Sequence, residues 1–121
     1  MTMPKFSIAP LERRLAAGQD SVLLRVTLAM AYQQQGELAA AVPHLVKATE
    51  LDPHYSGAWR ALGVLYVDLG QDAKARVAFQ KGIEAAKAHG DKQAEKEMIV
   101  RLRRLDRQSG DAGGQSGEAK T

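Results

Sequence analysis

The sequence repeats itself at an interval of 34 residues, and this repeat limits the folds that the chain can adopt. A period of that length is typical of proteins that stack copies of one small supersecondary unit. The two copies are residues 22–55 and 56–89. Identical residues recur at matching places in both copies: Leu28 and Leu62, Tyr32 and Tyr66, Gly36 and Gly70, Ala39 and Ala73, and Ala41 and Ala75.

Within each copy, the spacing of these residues predicts two helices joined by a short turn. Leu62, Gly63 and Tyr66 place a large, a small and an aromatic residue on one helical face. Gly70 follows at the point where a helix needs a left-handed residue to end, which glycine supplies without steric cost. A second apolar stripe then passes through Phe79. Each copy is therefore predicted to be a helix hairpin.

The second copy resembles the tetratricopeptide repeat in residue type and spacing. The matching residues are Trp59, Leu62, Gly63, Tyr66, Gly70, Ala75 and Phe79. The first copy departs from the pattern with Arg25 in place of the tryptophan, and the second ends with Lys87 where the family has proline. The resemblance covers residues 22 to about 89. It implies an all-α fold, a right-handed α-solenoid of two hairpins like the short stand-alone repeat proteins of bacteria.

The flanking segments predict one more helix at each end of the solenoid. Residues 10–17 form an N-terminal half-repeat helix that Gly18 stops, and residues 91–107 form a C-terminal capping helix with Arg101, Arg104 and Arg107 pointing outward. The predicted helices are 10–17, 22–35, 38–51, 55–69, 72–88 and 91–107. The predicted domain is 10–107, between a flexible N-terminus at 1–9 and a disordered tail at 108–121.

The composition removes several classes of function. No cysteine is present, which excludes disulfides, thiol catalysis and cysteine-bound metals. His44, His54 and His89 have no metal-ligand partner at helical spacing, and no serine lies in a nucleophile elbow. We therefore expect no catalysis, no cofactor and no metal. No apolar run has the length of a signal peptide or a membrane span, which predicts a cytoplasmic protein.

The resemblance also implies where a partner would bind. In the family, the first helix of each hairpin lines a concave surface that holds a peptide or protein. The corresponding positions are Leu23, Val26, Met30, Gln33, Gln34, Arg60, Val64, Val67 and Asp68. Helical spacing by itself places six of these in one row: Val26, Met30, Gln33, Arg60, Val64 and Val67. Apolar residues that face outward in such a row are typical of binding surfaces, so we expect an interaction adaptor or scaffold.

One known type of site in the family is missing. Some members hold a carboxylate tail with basic residues at set concave positions. Here those positions carry Val26, Met30 and Ala61, and the acids Asp91 and Glu95 lie nearest to the expected basic pair. We expect a peptide with apolar anchors instead.

Three alternatives stay open. The terminal helices could fold over the row and make it part of the core. Two repeats are fewer than the roughly three that usually give independent stability, so the chain could self-associate as a structural homo-oligomer. Lys92, Lys96 and residues 101–107 could bind nucleic acid, although a net charge of +3 and interleaved acids favour a solvated face with i,i+4 ion pairs.

Overall fold

The structure is a computed structural model that describes the backbone of residues 7–117 and the side chains of residues 7–108. Within that range the chain forms helices and no strands. The six helices are α1 (Ile8–Ala16), α2 (Val22–Gln34), α3 (Leu38–Leu51), α4 (Ser56–Asp68), α5 (Asp72–Ala88) and α6 (Lys92–Gly117). The predicted ends of α2 to α5 lie within one residue of these bounds.

The helices pack in the order of the chain. The closest associations are those of α2 with α3 and of α4 with α5, which are the two predicted hairpins. Helix α3 joins the hairpins by packing on α4, while α1 packs on α2 and α6 packs on α5. This confirms an all-α solenoid of two hairpins with one additional helix at each end.

Both hairpins turn through the same glycine geometry. Gly36 and Gly70 have φ angles of 78° and 75°. The residue after each glycine closes the helix end: the N–H of Gln71 donates to the Tyr66 carbonyl at 2.8 Å, and that of Glu37 donates to the Tyr32 carbonyl at 2.9 Å. A β-carbon would be strained at such a φ angle, so glycine is the residue that these turns require.

Two polar side chains fix the starts of helices that follow short loops. Ser21 Oγ accepts a hydrogen bond from the Leu24 N–H at 3.1 Å at the start of α2. Asp91 Oδ1 accepts one from the Ala94 N–H at 3.1 Å at the start of α6. Such N-caps satisfy backbone donors that the helix itself leaves unpaired.

The core consists of large residues interleaved with very small ones. Five large side chains are fully buried: Phe79, Leu28, Leu45, Leu65 and Met98. Full burial of each stabilises the fold by roughly 1.5–3 kcal/mol. Small residues let the helices approach one another, most clearly at Gly82. A β-carbon at that position would lie 2.4 Å from Met98 Sδ, so the glycine brings α5 and α6 into close contact.

The two end helices differ from their predicted bounds. Helix α1 begins at Ile8, inside the predicted flexible N-terminus, because Pro10 fits a first turn whose N–H groups need no helical partner. Residues 1–6 of that segment lie outside the described residues. Helix α6 is described to Gly117, beyond the predicted end at 107. The disordered tail at 108–121 stays a prediction, and residues 118–121 lie outside the described residues.

No helix in the described part of the chain is both long enough and apolar enough to cross a membrane.

Candidate partner-binding surface

Helix α2 presents the first half of the predicted surface to solvent. Leu23 is 75% exposed and Met30 is 47% exposed, although both are large apolar side chains. Val26 and Gln33 are half-buried beside them, and Gln34 is exposed. Exposed apolar side chains of this size on one helix are the kind of surface that partners cover.

A cavity of about 300 Å³ lies beside this part of α2. Leu23 and Val26 line it, together with Asp52 and Tyr55 of the loop between α3 and α4. Tyr55 was absent from the predicted surface, and the predicted helix 55–69 included it, whereas the structure begins α4 at Ser56 and leaves Tyr55 in the loop. Tyr55 lines the cavity only because the loop between α3 and α4 folds back toward α2.

Helix α4 carries the second half of the predicted surface. Val67 is 39% exposed and Asp68 is exposed. Val64 is half-buried because it packs against the cluster that contains Phe79 and Met98. The Nη1 atom of Arg60 lies 3.5 Å from Glu97 Oε2 of α6, so the capping helix is tied directly to this surface.

The capping helix forms one wall of a second, smaller cavity of about 100 Å³ beside α4. Its lining residues come from α4, α5 and α6: Val64, Val67, Asp68, Phe79, Arg101, Arg104, Leu105 and Gln108. Helix α6 therefore covers part of Val64 and leaves Val67 exposed. The predicted row is thus neither fully open to a partner nor fully covered by the terminal helices. Helix α6 covers its part at Val64, and its part on α2 is open.

Up to residue 108, where the structure describes the side chains, each acidic residue of α6 pairs with a basic residue. The ion pairs are Glu95 with Lys87 at 4.0 Å, Glu97 with Arg60 at 3.5 Å and with Arg101 at 3.2 Å, and Asp106 with Arg76 at 2.7 Å. The expected outward position of Arg101 is wrong, because the side chain is half-buried and pairs with Glu97 one turn earlier. This pair is one of the expected i,i+4 ion pairs.

A polar cluster joins α1 to the first hairpin. The Tyr32 hydroxyl donates to Glu12 Oε2, and the Tyr32 ring stacks on His44 with centroids 5.5 Å apart. Arg25 Nη1 lies 3.0 Å from His44 Nδ1, and Arg25 Nε lies 2.8 Å from Asp20 Oδ1. Arg25, which replaces the tryptophan of the second copy, thus has its own structural role.

The cluster changes the acidity of its members. Burial lowers the pKa of His44, against the opposing charge of Glu12. The hydrogen bond from Arg25 lowers the pKa of Asp20, and the hydrogen bond to Glu12 raises the pKa of Tyr32. Among the residues that the structure describes, no group of three potential ligands could hold a metal ion. The contacts of Glu12 and Arg25 with Tyr32 and His44 link α1, α2 and α3.

A groove of about 540 Å³ between α3 and α5 was not predicted. Its walls are mostly apolar, and they include Val46, Trp59, Leu62, Tyr66 and Val77. Trp59, Leu62 and Tyr66 belong to the repeat signature. Leu62 is buried, and the half-buried state of Trp59 and Tyr66 had no signal in the sequence. Val77 of α5 is 50% exposed, and this apolar residue is the one that could have indicated the groove in the sequence.

Two stacked helix hairpins with first helices that remain partly open to solvent define a helical repeat protein. The tetratricopeptide repeat family model matches residues 32–94, and the chain belongs to this family. The resemblance inferred from the repeat signature is thereby confirmed.

Two of the relatives match this chain over most of their own length, and a third is a longer protein that matches over a short segment. TPR repeat-containing protein PA0015 of Pseudomonas aeruginosa is 47% identical over 100 residues, which are 83% of this chain and 95% of that protein. The solution structure of protein BPP2914 from Bordetella parapertussis is 42% identical with a TM-score of 0.73, over 88% of this chain and 93% of that one. The co-chaperone sgt12 of Aspergillus fumigatus is 40% identical over 57 residues, which are 47% of this chain and 17% of that protein.

Proposed function

We propose that this protein is a non-catalytic interaction module that holds a peptide or partner protein on the α2–α4 row. This row consists of Leu23, Val26, Met30, Gln33, Gln34, Arg60, Val64, Val67 and Asp68. The observation that carries the proposal is the exposure of Leu23, Met30 and Val67, three large apolar side chains on the first helices of the two hairpins. Methionine suits such a surface because its flexible thioether adapts to different partners.

The chemistry of the row favours apolar anchors over a carboxylate tail. The family positions that hold such a tail carry Val26, Met30 and Ala61, none of which can pair with a carboxylate. The match to a co-chaperone over 57 residues supports a role in binding proteins. We therefore assign the row to a helical or extended segment whose apolar side chains occupy the cavities at Val26 and Val64.

The setting of this adaptor is part of the proposal. PA0015 and BPP2914 come from bacteria, which supports a bacterial scaffold or adaptor. The cytoplasmic location expected from the sequence belongs to the same proposal. Fluorescence microscopy of a tagged chain would test it, and a signal outside the cytoplasm would contradict it.

A capture experiment with two matched double variants tests the row. Met30→Glu with Val67→Glu places two charges on the row, and both positions are exposed, so the fold is expected to persist. Leu51→Glu with Val77→Glu makes the same charge change at two exposed positions outside the row. We expect the first variant to lose the partners that the wild type retains and the second variant to keep them.

Three results would distinguish the α2–α4 row from the groove between α3 and α5. Retention of every partner by a folded Met30→Glu, Val67→Glu variant, as judged by circular dichroism, would remove the row from consideration. Loss of the partners in the Leu51→Glu, Val77→Glu variant alone would move the site to the groove between α3 and α5. Loss in the first variant alone supports the row.

Self-association is the second candidate function, and the end helices favour it. Helix α1 contains no fully buried residue, and Val100 of α6 is 54% exposed. Each end helix thus has a face that a second copy could cover. Light scattering over a wide range of concentrations tests this candidate, and a monomer at every concentration would exclude it.

A further inference from the structure

The acids and most of the cations of α6 differ in whether they form ion pairs. Its acids Glu95, Glu97 and Asp106 pair with Lys87, Arg60, Arg101 and Arg76, as described above. The remaining basic residues are all exposed: Lys92, Lys96, Arg103, Arg104 and Arg107. None of these five forms an ion pair within the described part of the chain. We refer to them as the α6 basic row.

The α6 basic row is a single continuous surface. At 3.6 residues per turn, Lys96, Arg103 and Arg107 fall on the helical face opposite the buried Met98. The row from position 92 to position 107 is about 22 Å long at 1.5 Å per residue. Because the acids of the same helix already pair with other basic residues, these five cations leave a positive potential that attracts an acidic partner.

The basic row is also continuous with the proposed binding surface. Arg104 lines the cavity of about 100 Å³ together with Val64 and Val67 of α4. Val100 lies among the cations and is 54% exposed, so the row contains an apolar contact point as well. A segment that occupies the cavity would extend along α6 past Arg104 and its neighbours.

We infer that the segment held by this protein is acidic, with glutamate or aspartate residues next to its apolar anchors. This inference rests on the proposed function of the α2–α4 row. The apolar anchor enters the cavity at Val64 and Val67, and the carboxylates pair with Arg103, Arg104 and the rest of the α6 basic row. Charge complementarity of this kind selects partners and accelerates their association.

An acidic protein segment fits the row better than nucleic acid does. Residues 92–108 contain no aromatic side chain, so α6 offers no platform on which bases could stack. The whole chain has a net charge of only +3, which is small for a protein that binds nucleic acid through phosphate contacts. A row of about 22 Å matches six or seven residues of extended peptide at about 3.3 Å each.

A selection from a phage-displayed library of random 12-residue peptides tests the inference. The variant Arg103→Gln, Arg104→Gln removes two adjacent exposed cations of the row. Its matched control is Arg13→Gln, Arg14→Gln, which removes two adjacent exposed cations from α1. Lys96→Gln, Arg107→Gln is a second variant of the row, in case the first does not fold.

We expect the wild type to select peptides that combine apolar residues with a cluster of acids. The consensus peptide should bind the row variants about tenfold more weakly, as the loss of two exposed ion pairs predicts. The control should bind the peptide as the wild type does. Affinity for the peptide should fall with added salt, because the pairs are exposed.

The other outcomes separate this inference from the proposed function. Selection of apolar peptides without acids would overturn the acidic partner and leave the α2–α4 row in place. Selection of no peptide at all would overturn both. A 16-base-pair DNA duplex that binds more tightly than the selected peptide at equal salt, and loses affinity in the row variants, would assign the α6 basic row to nucleic acid instead.

Discussion

Gly63 of α4 packs directly against the ring of Phe79 of α5. A β-carbon at position 63 would lie 2.5 Å from Phe79 Cε1, which is too close for any real contact. The equivalent positions of the first hairpin hold Ala29 and Leu45, both buried. Both hairpins therefore place a small residue on the first helix and a large one on the second, but the second hairpin combines glycine with a ring where the first combines alanine with leucine.

Gly63→Ala should destabilise the protein, although alanine is the better helix former. The gain in helix propensity is roughly 0.5–1 kcal/mol, whereas overpacking of a filled core typically costs about 1–3 kcal/mol. Because Phe79 is buried and has little space to move, we expect a net loss of about 1–2 kcal/mol in the free energy of unfolding. Urea denaturation followed by circular dichroism measures it.

The residue pair of the first hairpin provides a control for Gly63→Ala. Gly63→Ala combined with Phe79→Leu recreates the Ala29 and Leu45 pair of the first hairpin. In a double-mutant cycle, the double variant should lose less stability than the sum of the single variants, with a coupling of about 1 kcal/mol. Additive losses would show that the contact does not determine the size of either residue.

Gly70→Ala tests a different cost of adding a methyl group. No atom lies within 4 Å of the position that the β-carbon would occupy, but φ is +75°. The cost is therefore backbone strain alone, about 1–2 kcal/mol for an ordinary residue. Gly70→Asn should lose less, because asparagine tolerates this conformation better. Equal melting temperatures for wild type and Gly70→Ala would contradict the strain.

Met98→Ala should release α6 from the solenoid. Met98 is fully buried and lies over Gly82 of α5, so truncation leaves a cavity at the centre of the contact between α5 and α6. The expected loss is about 2–5 kcal/mol. Hydrogen exchange should show faster opening of α6 than of α2 to α5. Val100→Ala, at an exposed position of the same helix, should change stability by less than about 0.5 kcal/mol.

The sequence predicted most of the fold because the repeat positions are the positions that pack. Leu28, Leu62, Ala41 and Ala75 are buried as their recurrence at 34 residues implied. Contacts without a counterpart in the other hairpin could not be predicted. The pairing of Arg60 with Glu97 of α6 and the cluster around His44 depend on side-chain positions that no periodicity records.

The site was predictable to a similar extent. Helical spacing placed Met30 and Val67 on exposed faces, as the structure has them. It could not show that Tyr55 borders one cavity or that Arg104 borders the other, because those residues come from a loop and from a helix outside the repeats. Such surfaces depend on tertiary packing between segments that are distant in the chain.

The polar cluster at α1 predicts a dependence of stability on pH. Burial lowers the pKa of His44 in the folded state, and Arg25 acts in the same direction against Glu12. The unfolded value is about 6.5. The contribution of neutral His44 is therefore fully present above about pH 6.5 and is lost as the pH falls through the lower folded-state value.

The window between about pH 6.5 and pH 5 separates histidines from carboxylates, whose unfolded pKa values near 4 are lower, and a variant of His44 separates this histidine from the other two. Asp20 loses its own contribution only below that range, since its folded-state pKa is lowered by Arg25. We expect the free energy of unfolding, measured with urea at several pH values, to decrease from pH 7 to pH 5. His44→Gln should flatten this slope, because glutamine can still accept a hydrogen bond from Arg25 and gains no charge. Equal slopes for the two proteins would show that protonation of His44 is not coupled to folding.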